Sequence, residues 1–146
     1  MALAPSLLSF SPPGDVLSVR EPEPLAAPRG QTVTATIGIV LKPGYHINCD
    51  QPADDYLIPF RLTWEAGALR ALGVEYPEPK QENYSFSDKP LSVFTGDFEV
   101  VTRFAVPATA SAGRSVMRGK VRYQACTDKL CLPPKTVAFE LPVEIR

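Results

Sequence analysis

The sequence predicts an all-β fold, an antiparallel β-sandwich, and three observations carry that expectation. Short apolar runs recur at period two, the spacing that puts alternate side chains on one face of a strand. The intervals between them are punctuated by turn residues, from a stock of 16 Pro and 9 Gly. Almost no stretch reads as helix. At 146 residues the chain is expected to be one domain over residues 1–146.

The elements follow in order. Residues 1–30 form a Pro-rich extended segment holding Pro5, Pro12, Pro13, Pro22, Pro24 and Pro28. Proline lacks an amide donor and breaks helix interiors, so extended chain with edge pairing suits this segment. Val16–Val19 is a short strand within it. Thr32–Leu41 is more regular. Val33, Ala35, Ile37, Ile39 and Leu41 share one face, and Thr32, Thr34 and Thr36 share the other. Pro43-Gly44 marks a turn before a short extended piece, Tyr45–Cys49. Leu57–Glu65 alternates again with Ile58, Phe60, Leu62 and Trp64 inward, and Pro59 places that run at an edge or a bulge. Ala66–Leu72 has room for one helical turn, and Leu72, Val74 and Tyr76 resume strand spacing.

Pro77–Pro90 reads as a long polar loop, a class of segment that tends to be functional. Inside it, Tyr84-Ser85-Phe86-Ser87-Asp88 strands two aromatics with no core to join. Three strands close the chain. Phe98, Val100, Thr102, Phe104 and Val106 face inward on the first. Val116–Ala125 turns Met117, Gly119, Val121, Tyr123 and Ala125 inward, with Arg118, Lys120 and Arg122 outward. Thr136–Ile145 is the last. Many short alternating runs joined by such turns make the sandwich immunoglobulin-like.

Composition narrows the function. Formal net charge is −1, from 15 basic and 16 acidic residues, and no basic stripe or aromatic–basic platform points to nucleic acid. No run approaches the ~18 apolar residues of a membrane-spanning helix. Met1–Leu8 is apolar, but it lacks a preceding Lys or Arg and contains Pro5, so it makes a poor signal peptide. A domain of this size buries about 70% of its unfolded surface and needs no staple.

The chemistry concentrates at Cys126 and Cys131, which bracket Thr127-Asp128-Lys129-Leu130 between the last two strands. A tight hairpin brings flanking Cα atoms within about 7 Å, close enough for a disulfide. Closing so short a loop stabilises the fold by only about 2 kcal/mol. A bridge at an exposed polar tip is accessible to reductants, which favours exchange chemistry. Lys129, Lys135 and Arg122 would stabilise a thiolate there and Asp128 would oppose it. Two other readings fit the same residues. One is a structural disulfide in an extracytoplasmic binding or adhesion sandwich. The other is a zinc site from His46, Cys49, Cys126 and Cys131, disfavoured because Cys49 has no second cysteine beside it. Cys49 otherwise reads as a small buried hydrophobe, and His46 as a loop or core histidine with a hydrogen-bond partner. Asp54-Asp55 reads as a solvated turn.

Three stretches resemble the N-terminal, periplasmic domain of the DsbD family of thiol:disulfide interchange proteins. They are Lys42–Asn48 followed by Leu57–Pro59, then Phe86–Val93, and most specifically Val121–Thr136. The resemblance implies an immunoglobulin-like sandwich in the periplasm, with one redox-active disulfide and no metal or other cofactor. It implies electrons arriving from a thioredoxin-like domain of the same membrane protein. They would leave to a periplasmic disulfide isomerase or a cytochrome c maturation thioredoxin. The membrane would be met only through an adjoining domain outside this sequence. Cys131 matches the cysteine that forms mixed disulfides, and Cys126 its resolving mate. Tyr84–Asp88 matches a mobile cap loop with Phe86 as the shield and Tyr84, Ser85, Ser87 and Asp88 around it. Tyr45, Tyr123, Asp128, Lys129 and Pro133 are the expected surroundings. The sequence departs from the family pattern in having one residue fewer between the cysteines. It also has Tyr84-Ser85 where acidic residues usually precede the phenylalanine.

Overall fold

The computed structural model describes residues 15–146; the apolar start and the prolines before Asp15 lie outside them. Twelve strands run in chain order: β1 Leu17–Val19, β2 Leu25–Ala27, β3 Thr32–Leu41, β4 His46–Asn48, β5 Arg61–Trp64 and β6 Arg70–Glu75, then β7 Lys80–Glu82, β8 Leu91–Phe94, β9 Phe98–Ala105, β10 Gly113–Tyr123, β11 Ala125–Cys126 and β12 Lys135–Ile145. No helix forms among the described residues. The strands make three four-stranded sheets, in the orders β1-β3-β9-β6, β2-β12-β10-β5 and β11-β4-β8-β7.

The first two sheets enclose the core of an immunoglobulin-like sandwich. Ile37, Ile39 and Val100 from one pack with Leu62, Val121 and Phe139 from the other. Period two explains their selection, since on β3 Ala35, Ile37, Ile39 and Leu41 are buried while the intervening threonines are exposed. Trp64 spans the layers. Its ring packs against both halves of the core, and its indole N–H donates to Thr102 Oγ1 at 2.9 Å. The donor of a buried indole needs such a partner, and Thr102 is itself fully buried. The longest pairing is β10 with β12, from Gly113↔Ile145 to Tyr123↔Lys135. The Pro-rich segment supplies the edge pairing expected of it, as β2 runs parallel to the end of β12. The Pro43-Gly44 turn uses Gly44 at φ +88°, a left-handed conformation that a Cβ would oppose.

Four expectations change. The Leu57–Glu65 run is a strand only from Arg61 to Trp64; Pro59 cannot donate to a ladder, and β5 is an edge strand, as that proline implied. The free amide of Leu62 donates instead to the Tyr76 hydroxyl at 3.0 Å. Ala66–Leu72 forms no helical turn. It bends, buries Leu69 and enters β6, because pairing with β9, through a register shift between Ala71 and Gly73, offers ladder bonds that an isolated turn cannot match. The polar loop contains β7, whose Lys-Gln-Glu sequence has low strand propensity. It is held by β8, where Leu91, Val93 and Phe94 are buried. Finally, β10 stops at Tyr123, and Ala125–Cys126 passes into the third sheet as β11.

One close approach is set by a glycine. Gly119 pairs with Trp64 on one side and Phe139 on the other, and those rings meet edge-on across it at 5.2 Å. A Cβ at Gly119 would lie 2.5 Å from Phe139 Cζ and 3.0 Å from Trp64 Cζ3. Gly119→Ala is therefore expected to cost about 1–3 kcal/mol by overpacking. It should be read as a lower urea midpoint at unchanged m.

Candidate active site

The third sheet builds the site because its two faces have different neighbours. In register, Ala125 meets Ile47 and Ile47 meets Phe94. These three, with Cys49, belong to the core. The alternate positions, Cys126 opposite His46 and Asn48 opposite Val93, stand on the other face. The sheet therefore holds hydrophobic core on one side and the first cysteine on the other.

Cys126 and Cys131 are disulfide-bonded, with Cα atoms 4.0 Å apart, and they form an antiparallel bridge. Thr127 N donates to Leu130 O at 2.7 Å, and Leu132 N donates to Ala125 O at 2.8 Å. The cysteines thus form a non-hydrogen-bonded pair, the type in which facing side chains stand closest. Thr127 Oγ1 accepts from the amides of Lys129 at 3.1 Å and Leu130 at 3.2 Å, which folds the tip. The expected loop, joining the two long strands directly, is corrected here. The long ladder ends at Tyr123↔Lys135, and residues 124–134 make a smaller hairpin docked on β4. Ala125 fills a core position beside Ile47, while Pro133 and Pro134 have no amide with which to continue the ladder. The two sulfurs are not equivalent. Cys126 is 6% exposed, whereas Cys131 lies on the surface.

The loop over residues 83–90 meets this outer face at His46 through a stack of rings. Tyr84 lies 4.1 Å from His46 and Phe86 lies 5.4 Å from Tyr84, centroid to centroid, with the planes within 20°. Phe86 is 6.3 Å from His46. The Tyr84 hydroxyl donates to Glu82 Oε1 at 2.5 Å, and Ser87 N donates to Tyr84 O at 3.1 Å. Ser87 Oγ donates to Lys89 O at 2.8 Å, and Lys89 pairs with Asp54 at 3.0 Å. Phe86 is 52% exposed, and Ser85 and Asp88 are exposed beside it. Tyr84 is thus the seat of the loop and Phe86 its outer leaf.

His46 is the residue that sequence reasoning undervalued. It is 3% exposed and is met by a ring rather than by a side-chain hydrogen bond among the described residues. Burial lowers its pKa below the ordinary 6.5, and the Glu82 carboxylate only partly opposes that. Burial chiefly, with the Glu82 hydrogen bond and charge, raises the Tyr84 phenol, which stays a donor. A cavity of about 470 Å³ beside the stack is lined by Tyr45, His46, Glu82, Tyr84 and Asp128, among others. Tyr123 lies elsewhere. It is buried in the core with its hydroxyl against the Leu17 backbone, and burial raises its pKa. Lys129 and Pro133 are exposed on the hairpin, and Lys135 and Arg122 are exposed at its base. The zinc set is not assembled, since Cys126 and Cys131 are bonded to each other and Cys49 lies on the core face. No metal-binding cluster forms among the described residues.

An all-β sandwich with a half-exposed disulfide on a small hairpin, its first cysteine paired with a histidine on which an aromatic loop stacks, fits a thiol:disulfide interchange domain. The chain belongs to the family described as thiol:disulfide interchange protein DsbD, N-terminal, whose model matches residues 14–142. Among solved structures it is similar to the N-terminal periplasmic domain of ScsB from Proteus mirabilis, with a TM-score of 0.60 at 12% identity. That alignment covers 92% of this chain and 51% of the ScsB structure, so the chain spans about half its length, and the likeness is one of fold. The PapD-like domain 7 of human CEP192 aligns with a TM-score of 0.45 at 13% identity, covering 100% of this chain and 94% of that one. No curated protein matches the sequence.

The buried imidazole makes the loop sensitive to pH. Protonating His46 is harder in the folded state than in the unfolded one. Its contribution to stability is therefore complete above pH 6.5 and is lost as pH falls below that value. The hydrogen-exchange protection of the Ser87 amide is expected to drop below pH 6.5, and His46→Phe should remove that pH dependence.

Proposed function

We propose that this domain carries electrons between thioredoxin-like proteins in the periplasm by exchange at Cys126–Cys131, as a protein-disulfide reductase module. The observation that carries the reading is the difference in exposure between the two sulfurs. A thiolate attacks a disulfide along the S–S axis, from the side opposite the leaving sulfur. With Cys126 buried and Cys131 on the surface, that approach is open at Cys131, and attack at Cys126 would have to come from within the fold. Family membership supports thioredoxin-like partners, and an oxidising compartment suits a persistent disulfide.

In the reductive half, a partner thiolate attacks Cys131 Sγ. The intramolecular S–S bond breaks, and Cys126 leaves as a thiolate that takes up a proton. The partner's second thiol then displaces Cys131, leaving the partner oxidised and both cysteines reduced by two electrons. In the forward half, Cys131 attacks an oxidised target and Cys126 resolves the mixed disulfide, restoring the original bond. A thioredoxin-like domain is the donor in this reading. A periplasmic disulfide isomerase or a cytochrome c maturation thioredoxin is the acceptor. Phe86 shields the pair from stray oxidants and yields when a partner docks.

Cys126→Ser should accumulate a stable mixed disulfide through Cys131 on non-reducing gels, whereas Cys131→Ser should not; the opposite pattern would reverse the roles. Phe86→Ala should raise the rate of reduction by dithiothreitol severalfold. A reduction potential well below about −300 mV would mark an inert structural bond and overturn the reading.

A further inference from the structure

We propose that the outer face of β5 and β10 is a docking strip for a redox partner with acidic residues around its cysteines, an inference that rests on the exchange reading. Along β10 the outward side chains Arg118, Lys120 and Arg122 recur at period two. Arg118 pairs with Glu140 at 3.5 Å. Beyond it the register supplies no carboxylate. Lys120 faces Ala138 and Thr63, and Arg122 faces Thr136 and Arg61. Arg61, Lys120 and Arg122 are exposed, and none makes an ion pair among the described residues. The pairing of Arg61 directly opposite Arg122 sets like charges together, which disfavours the sheet. The fold gains nothing from this arrangement, but an anionic ligand does.

The strip leads to the disulfide. Arg122 immediately precedes Tyr123↔Lys135, the last pair before the cysteine hairpin, so the cations end at its base. With Pro59, Thr63 and Thr136 they line a cavity of about 280 Å³ whose lining has no acidic residue. On another side of the hairpin, Asp128 and Glu82 line the His46 cavity. A protein approaching Cys131 meets cations at the base of the hairpin and carboxylates at the His46 cavity, which turns its acidic side toward Arg61 and Arg122. A membrane surface would use the cations alone and offers no thiol, so a partner protein fits the placement better.

The test uses two reduced dithiol peptides, each a Cys-X-X-Cys segment flanked by aspartates or by asparagines. Peptide dithiol becomes disulfide, and Cys126–Cys131 takes up the two electrons and two protons. At low salt the acidic peptide should reduce the wild-type protein about tenfold faster than the neutral one, equivalent to about 1.4 kcal/mol. The ratio should fall to near one in Arg61→Gln/Arg122→Gln. It should also fall in about 1 M salt, where the screening length is about 3 Å. Removing two repelling surface charges should leave folding intact, checked by a urea midpoint no lower than that of the wild type. Equal peptide rates on the wild type would overturn the strip while leaving exchange standing. Binding to anionic vesicles that tracks Arg61 and Arg122, without peptide discrimination, would assign the strip to a lipid surface and also overturn it. Failure of every dithiol to reduce the bond would instead sink the exchange reading beneath it.

Discussion

The pairing of β11 with β4 is the constraint on which the site depends. It seats Ala125 against Ile47 in the core and so turns Cys126 to the opposite face beside His46. A slip of one residue would exchange every side chain between the two faces, putting the cysteine in the core and an alanine on the face of His46. Burial of Ile47, Phe94 and Ala125 specifies the register, and the redox pair inherits its position from them. The disulfide itself is not needed to close the fold. The long ladder of the main sandwich, from Gly113↔Ile145 to Tyr123↔Lys135, includes no residue of the hairpin.

The loop over residues 83–90 depends on the same pairing. Strand β4 brings His46 beside Cys126, and the imidazole is the surface on which Tyr84 lies. Glu82 at the end of β7 then anchors the Tyr84 hydroxyl. A loop that carries no core residue is thus held by one stack and one hydrogen bond, with Lys89 reaching Asp54 at its far end. Such slender support leaves the loop among the less strongly held segments of the fold.

How much of this was legible in the sequence follows from how local each feature is. Strand β3 came out at its predicted bounds because ten alternating residues carry their own periodicity. The cysteine hairpin was legible because its two cysteines are close in sequence. Strand β7 was not, because Lys-Gln-Glu becomes a strand only through β8 beside it. Nor was the split of β10 and β11 at Gln124, since an alternation of inward residues runs unbroken through Tyr123 and Ala125. The role of His46 and the basic strip were hidden for the same reason. Each depends on which distant strand lies alongside, His46 on β11 and Arg122 on β5. The outward alternation of Arg118, Lys120 and Arg122 was visible along β10, but not that β5 sets Arg61 beside them.

The third cysteine sits on the far side of the same thin sheet. Cys49 is buried on the core face, and burial raises its pKa so that it remains a protonated thiol. When the pair is reduced the protein holds three thiols, yet the backbone layer insulates one from the other two. Intramolecular scrambling to a wrong disulfide would require the sheet to come apart. The buried thiol is thereby kept out of any exchange at the Cys126–Cys131 pair.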